Sequence, residues 1–185
     1  MKLITEPIVS QFDGTIIDLE TTGDFSKQYK HPEYSDSREY SNIKPVFFGF
    51  MTSRGIEIHC AESKSEINEL LSTIVKLVPN LPKPFHSFNT PFETGVLFHS
   101  TGEKILFERE LNKERYEAKR LAVEVLKLQN YDDPFLDNGK MFPPAWEKGN
   151  MKDCIAHNRA DLFKERDILL KRGFRTPDEF RFIAM

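Results

Sequence analysis

One short segment, TIIDLE at 15–20, constrains the fold of this chain more than any other, because it is apolar yet carries two acids. Gly14 precedes it and Thr21-Thr22-Gly23 follow it, and such residues commonly mark the ends of an element. The segment is therefore predicted as a buried β-strand. Since side chains two apart on a strand share a face, Asp18 and Glu20 are expected side by side.

Two neighbouring carboxylates are unfavourable in a buried position unless a positive charge compensates them. A divalent cation such as Mg²⁺ or Mn²⁺ suits such oxygen ligands. The alternative, which a bare D-x-E pattern favours, is a strand end at the rim of the sheet with both acids solvated. Ligand sites of open α/β sheets lie beyond the carboxyl ends of their strands, and Asp18 and Glu20 lie at that end. The position therefore favours a metal site.

The remaining hydrophobic pattern predicts a single domain over 1–185, with an α/β fold and a mixed sheet. Residues 24–45 are polar and are expected to form a long flexible loop or flap. For residues 181–185 a strand, a tail and a contact all stay open. The predicted elements are strands at 46–52, 56–60 and 85–88, helices at 63–78, 91–98 and 108–128, a loop-rich connection at 131–150, and a final helix from Asn150 or Asp153 to Arg172 that Gly173 ends.

Charge and cysteine content exclude several classes of protein. Lys and Arg number 26 against 29 Asp and Glu, so the net charge of −3 argues against a protein that coats nucleic acid through a global basic field. A local basic groove stays possible. The predicted helix at 108–128 is expected to be a solvated amphipathic helix, with a nucleic-acid contact through Lys113, Lys119 and Arg120 as the alternative.

The two cysteines, Cys60 and Cys154, form no C-x-x-C pair, which excludes the common zinc signatures and a disulfide framework. Free thiols suit a reducing compartment. No apolar stretch approaches the roughly 18 residues of a membrane span, and the first residues show no apolar run of signal-peptide length. A cytoplasmic protein with no membrane contact is therefore expected.

Two further groups of polar residues have a pattern of functional interest. Asn89 lies at the end of a predicted strand and Glu93 in the first turn of the next helix. The start of that helix at Pro91 and the favourable position of Glu93 at the amino-terminal end of the helix dipole could alone explain these residues. His157 and Asp161 are four residues apart, so one helix face presents both, and Glu165 continues the acidic row. A local His–Asp pair on an exposed face is the alternative.

Three motifs, taken in order, resemble those of a known family. The segment IIDLETTG resembles the first motif of the DEDD 3′→5′ exonucleases of the ribonuclease H-like superfamily, FHSFNTPFETGVL the second and IAHNRADLFKERDIL the third. The run PFLDNGKMFPPAWEKGNMKDCIAHNRADL is similar to the predicted-exonuclease branch. The resemblance spans roughly residues 12–172. It implies a ribonuclease H-like fold, in which helices flank a mixed β-sheet.

The resemblance also implies a mechanism, namely hydrolysis of DNA or RNA from the 3′ end with two Mg²⁺ or Mn²⁺ ions. Asp18, Glu20, Glu93 and Asp161 would hold the ions, and His157 would accept the proton of the attacking water. The terminal nucleotide would be positioned by residues that could equally serve as turn and cap residues: Thr21, Thr22 and Asn89.

The chain departs from the family pattern at two positions. Glu93 stands where the family usually has Asp, and His157 has the spacing to Asp161 at which other branches place Tyr. A decayed ribonuclease H-like scaffold, which binds nucleic acid or a protein partner, is therefore the alternative to an active nuclease. The presence of acids at all four ligand positions favours activity. The sequence leaves the sugar, a protein partner and homo-oligomerisation open.

Overall fold

The computed structural model describes residues 1–185 as a mixed α/β fold. It has eight strands and five α-helices, with five strands before the first α-helix and three consecutive α-helices before the last strand. The strands are β1 (Lys2–Pro7), β2 (Thr15–Gly23), β3 (Ser35–Asp36), β4 (Ile43–Thr52), β5 (Gly55–Cys60), β6 (Phe85–Ser87), β7 (Arg109–Glu110) and β8 (Phe180–Arg181). The helices are α1 (Ile67–Leu77), α2 (Thr90–Thr101), α3 (Lys119–Val125), α4 (Phe142–Glu147) and α5 (Met151–Arg172). Short 3₁₀ turns lie at Lys27–Tyr29, Ser37–Tyr40, Lys64–Glu66, Val78–Asn80 and Gly139–Met141.

Six strands form one mixed sheet in the order β1-β5-β4-β2-β6-β7. Strand β2 is antiparallel to β4 on one side and parallel to β6 on the other. The central place of β2 explains its apolar sequence, since its first six residues are buried. The predicted strand at 15–20 and the predicted hairpin at 46–60 are confirmed, and β2 continues past Glu20 to Gly23 after a register shift.

Helices cover both faces of this sheet. Ile17 and Leu19 of β2 face one core with α1 and α2, whose buried residues include Leu70 and Val96. Ile16 faces a second core, to which α4 and α5 contribute Phe142, Trp146 and Leu162. Because side chains alternate along a strand, Asp18 and Glu20 share the face of Ile16 and point towards α5.

The long helix predicted at 108–128 is wrong. Residues 109–110 instead form β7, which pairs with β6, and only Lys119–Val125 is helical. Tyr116 has a φ of 69°, which interrupts any helix through this stretch. The apolar residues that predicted one face of a long helix lie in different segments. Leu111 and Ala122 pack in a small core beside Phe88 and Ile168. The longest helix is α5, which begins after Asn150 and ends before Gly173 as predicted.

The segment predicted as a flexible loop at 24–45 is largely anchored. Strand β3 within it pairs with β8, so of the carboxy-terminal residues 181–185 only Arg181 is in a strand. Arg115 donates hydrogen bonds to the carbonyl oxygens of His31, Pro32 and Tyr34 at 2.7–3.2 Å. Tyr40 is buried, and its ring lies 2.2 Å from where a Cβ on Gly95 of α2 would stand.

Besides β3, β7 and β8, two more elements of the fold have no counterpart among the predictions. Strand β1 pairs with β5 at the edge of the sheet, and its exposed alternating side chains gave no hydrophobic signal. Helix α4 lies within the connection predicted as loop-rich, where two prolines in its first turn start rather than prevent it. None of the five helices has the length and hydrophobicity that crossing a lipid bilayer requires.

Candidate active site

Four segments that are distant in sequence meet at one cleft of about 490 Å³. Strand β2 contributes Asp18 and Glu20, and the first turn of α2 contributes Glu93. Helix α5 presents one face to the cleft, with residues at every fourth position. The cleft-lining residues of α5 and of the start of α3 are His157, Asp161, Glu165 and Lys119. The structure thus brings together all four predicted metal ligands and His157.

Asp18 is held in place on both of its carboxylate oxygens. Oδ2 accepts a hydrogen bond from Asn158 Nδ2 at 2.7 Å, and Oδ1 accepts one from Lys119 Nζ at 3.0 Å. Asn158 can approach because Gly49 of β4 pairs opposite Asp18 and has no side chain. A Cβ on Gly49 would lie 2.2 Å from Asn158 Oδ1. The orientation of Asp18 therefore depends on a glycine one strand away.

The ammonium group of Lys119 lies among the carboxylates. Its Nζ is 2.8 Å from Asp161 Oδ2 and 2.7 Å from Glu165 Oε1, in addition to its contact with Asp18. Burial disfavours a charge here, but the carboxylates of Asp161, Asp18 and Glu165 outweigh it and hold the pKa of Lys119 well above its usual value. Burial likewise favours a neutral Asp161, yet Lys119 and His157 keep its pKa low. Lys119 is thus a permanent cation in the cleft.

Both ring nitrogens of His157 face acidic groups. Nδ1 lies 2.8 Å from Asp133 Oδ1, while Nε2 faces Glu20 Oε1 at 3.4 Å and Asp161 Oδ2 at 3.8 Å. Burial disfavours the imidazolium, but Glu20 and Asp161 outweigh it and raise the pKa of His157 to about 10. In this state His157 is a proton donor and a counter-charge. It can accept a proton only when another cation neutralises these carboxylates.

Asp133 sets the orientation of that imidazole. It is buried, and its second oxygen accepts from Lys164 Nζ at 2.6 Å. Lys164 is itself fully buried and also donates to Asp137 Oδ1 at 2.6 Å. Burial raises the pKa of Asp133, but hydrogen bonds from His157 and Lys164 outweigh it and keep the carboxylate ionised. An oriented carboxylate on one nitrogen fixes which nitrogen faces the cleft.

Glu93 is buried and has one free carboxylate oxygen. Its Oε2 has no hydrogen-bond partner, while the Ser87 hydroxyl supports the carboxyl group. Burial and the nearby charge of Asp18 raise the pKa of Glu93 to about 8. Burial, and then the charge of Asp18, also hold the pKa values of Glu20 and Glu165 well above the usual range. His157 lowers the pKa of Glu20 and Lys119 that of Glu165, but neither outweighs burial. These acids suit ligands that ionise when a cation enters.

The three predicted nucleotide-positioning residues are placed differently. Thr21 and Asn89 line the cleft, whereas Thr22 does not. Asn89 caps α2 by position, yet its side chain makes no capping hydrogen bond and is exposed. Asn89 and Phe25 also border a neighbouring pocket of about 360 Å³, which Lys27, Lys30 and Tyr116 help to line. Asn89 is therefore free to contact a ligand in either space.

A cation fits the donor set. Glu20, His157 and Asp161 offer ligand atoms that all lie within 4.8 Å of one another. Asp161 Oδ1 and Glu93 Oε2 are buried without hydrogen-bond partners, which is costly unless something binds them. Carboxylate oxygens with an imidazole nitrogen suit Mn²⁺, and the oxygens alone suit Mg²⁺.

Sequence reasoning missed Lys119, Asp133 and Asn158 as parts of this site. Asn158 lies next to His157 on α5, but only the glycine across the sheet explains its role. Lys119 was one of three basic residues on a helix that does not exist at that length. The sequence signal for Asp133 was weak, because it lies in an irregular stretch and contacts α5 across 24 positions.

Comparisons of the chain with protein families, with curated proteins and with solved structures give no match.

Proposed function

We propose that the chain is a ribonuclease H-like, DEDD-type 3′→5′ exonuclease that hydrolyses phosphodiester bonds of DNA or RNA with Mg²⁺ or Mn²⁺. One observation carries the proposal. Asp18, Glu20, Glu93 and Asp161 come from three separate elements and line one cleft together with His157. The mixed sheet with helices on both faces is compatible with that fold. The preference for the 3′ end rests on the resemblance of the three motifs.

The proposed reaction is an in-line displacement at phosphorus. The oxygen of a water molecule forms the new bond to phosphorus, and the bond from phosphorus to the 3′ oxygen breaks. The 3′ oxygen of the shortened strand takes a proton from solvent, and a nucleoside 5′-monophosphate is released. When bound, a divalent cation would supply Lewis-acid activation of the water and charge stabilisation at the phosphoryl oxygens. Glu20, Asp161, Asp18 and Glu93 would hold it. His157, once its carboxylate neighbours are neutralised, takes the proton that the water loses.

Residues around the acids fit the end of a nucleic-acid strand. Phe25 and Phe92 line the cleft, are at least partly exposed and offer aromatic faces to bases. Lys140 lines the same cleft, and Lys27 and Lys30 line the pocket beside it. These lysines provide the local basic surface that the net charge of the chain does not. The two cysteines are buried and free, which agrees with a reducing, cytoplasmic setting.

The test is a nuclease assay on single strands of DNA and RNA that carry a label at the 3′ or the 5′ end. Each substrate is incubated with Mg²⁺, Mn²⁺ or EDTA. A ladder that shortens from the 3′ end, requires metal and disappears in Asp18→Asn is expected. Asp24→Asn is the matched control, because Asp24 lines the cleft but is exposed. Equal cleavage by Asp18→Asn would remove Asp18 from the reaction and contradict the proposal.

The alternative function is a catalytically decayed scaffold of the same fold that binds nucleic acid or protein. The ammonium of Lys119 among the acids is the observation that favours it, since a buried lysine can satisfy carboxylates that no longer bind metal. A folded protein that cleaves no strand under any metal, yet retains single strands in a binding assay, would support this alternative.

A further inference from the structure

Three carboxylates surround one ammonium group at the centre of the cleft. Lys119 Nζ lies 2.7–3.0 Å from one oxygen each of Asp18, Asp161 and Glu165. An ammonium group has three N–H donors, so three carboxylates are as many as it can serve. Only 16% of the Lys119 side chain is exposed, so solvent and salt screen these contacts little. The ammonium is therefore a firmly held charge.

Lys119 uses oxygens of the very residues that the proposed function assigns to cation binding. It contacts Asp18 Oδ1 and Asp161 Oδ2 as hydrogen-bond donor. A divalent ion held by this same pair of oxygens and the ammonium exclude each other, because two positive charges cannot share the space. Lys119 and an ion beside Asp18 are therefore competitors.

The other side of the site contacts Lys119 only through Asp161. Glu20, His157 and Asp161 form the group of ligand atoms that lie within 4.8 Å of one another. Lys119 has no hydrogen bond or ion pair with Glu20 or His157. Asp161 joins the two sides, since its Oδ2 faces Lys119 at 2.8 Å and His157 Nε2 at 3.8 Å. The cleft thus contains one position for a divalent ion and, next to it, a position that a side chain fills.

We propose that Lys119 is a built-in cation of this cleft, so that the chain binds one divalent ion, between Glu20 and Asp161 and next to His157, and Lys119 takes the place of a second ion beside Asp18. The inference rests on the proposed function for the identity of the ligands and departs from the two ions that the resemblance implies. A lysine carries a single charge and donates hydrogen bonds. It can stabilise negative charge on a phosphoryl or leaving oxygen but cannot activate water as a Lewis acid.

The experiment measures how many Mn²⁺ ions each chain binds in the absence of nucleic acid. Isothermal titration calorimetry and the EPR signal of free Mn²⁺ give the number independently. One ion per chain is expected for the wild type and two for Lys119→Met, whose unbranched stem replaces that of lysine without its charge. Arg120→Met is the matched control, because the neighbouring Arg120 is exposed, and it should bind one ion.

Thermal unfolding gives a second readout that does not depend on activity. Without metal, Lys119→Met leaves the carboxylates uncompensated and should unfold at a lower temperature than the wild type. Saturating Mn²⁺ should raise the melting temperature of Lys119→Met more than that of the wild type or Arg120→Met, because two ions bind the folded state. An equal rise in all three proteins would contradict the inference.

The outcomes separate the inference from the proposed function. Two ions on the wild type overturn the inference, and the proposed function is then judged by the nuclease assay alone. One ion on both the wild type and a folded Lys119→Met also overturns it. If Lys119→Met does not fold, the wild-type number decides, with one ion supporting the inference and two contradicting it. No Mn²⁺ on any variant overturns both the inference and the metal-dependent function.

Discussion

The amide oxygen of Asn158 occupies the space that a side chain on Gly49 would need, with only 2.2 Å between Oδ1 and the position of a Cβ. The amide nitrogen of the same residue donates to Asp18 Oδ2 at 2.7 Å. Strand β4 thus controls the orientation of Asp18 on β2 through a residue of α5. The absence of one methyl group keeps this arrangement possible.

Gly49→Ala is therefore expected to affect both stability and activity. Overpacking of a buried position commonly lowers the free energy of unfolding by about 1–3 kcal/mol, and the displaced Asn158 would release Asp18. Metal-dependent hydrolysis should fall by about 100-fold, because ligand misplacement of about 1 Å has effects of that order. Urea unfolding and the nuclease assay measure the two effects. The control is Gly139→Ala, where a Cβ meets nothing within 4 Å. Wild-type activity in Gly49→Ala would contradict this dependence.

Glu93 is expected to act through its charge rather than its length. Glu93→Asp retains a carboxylate in the first turn of α2 and should be tolerated or even activating, because the exonucleases whose motifs this sequence resembles usually have Asp there. Glu93→Gln keeps the shape but cannot ionise, and it should lose about 100-fold in hydrolysis. The comparison is made at saturating Mn²⁺ in the labelled-strand assay. Equal losses in Glu93→Asp and Glu93→Gln would argue against a ligand role.

Arg115 is expected to hold the segment 31–34 against the body of the protein. In Arg115→Met the carbonyl oxygens of His31, Pro32 and Tyr34 lose their donor. Hydrogen bonds to a charged group contribute roughly 1.5–3 kcal/mol, so local opening should become at least about tenfold more frequent. Chymotrypsin cleavage after Tyr34, followed by mass spectrometry, measures it. Arg54→Met, at an exposed turn, should leave the cleavage rate unchanged, and an equal rise in both variants would contradict the role.

His86 is expected to make stability depend on pH below neutrality. It is fully buried, its Nε2 lies 2.8 Å from the Asp13 carbonyl oxygen, and its Nδ1 has no partner. Burial, with a smaller contribution from Arg109, lowers the pKa of His86 in the folded state. The unfolded chain therefore binds the proton more readily, so the stabilisation is complete above the unfolded pKa of about 6.5 and is lost as the pH falls from there towards the folded pKa.

The measurement compares urea unfolding at about pH 7.5 and about pH 5.5. In His86→Gln, whose amide can still donate to Asp13, the loss of unfolding free energy on acidification should be smaller than in the wild type by about 1 kcal/mol. His31→Gln is the control, since His31 is partly exposed. An identical loss in His86→Gln and the wild type would show that other groups carry the acid sensitivity.

The sequence predicted those parts of the fold and site that depend on local periodicity. Strand β2 and helix α5 were recognisable because period two and period four place Asp18 with Glu20 and His157 with Asp161. Lys119 and Asp133 were not, since their partners lie on other elements and irregular backbone carries them there. The wrong prediction of a helix at 108–128 has the same origin. The apolar pattern that includes Leu111 and Ala122 correctly indicates buried residues, but it does not show that they belong to one helix.

The pairing of β3 with β8 has a consequence for how the protein is made. Ser35 lines the pocket beside the cleft, and the strand partners of Ser35 and Asp36, Phe180 and Arg181, come after every other strand and helix in the sequence. During synthesis from the amino terminus, the central sheet can assemble long before these residues leave the ribosome. This part of the pocket is therefore completed after the sheet and α5, so a nascent chain whose cleft already has its acidic residues in place still lacks one wall of the pocket beside it.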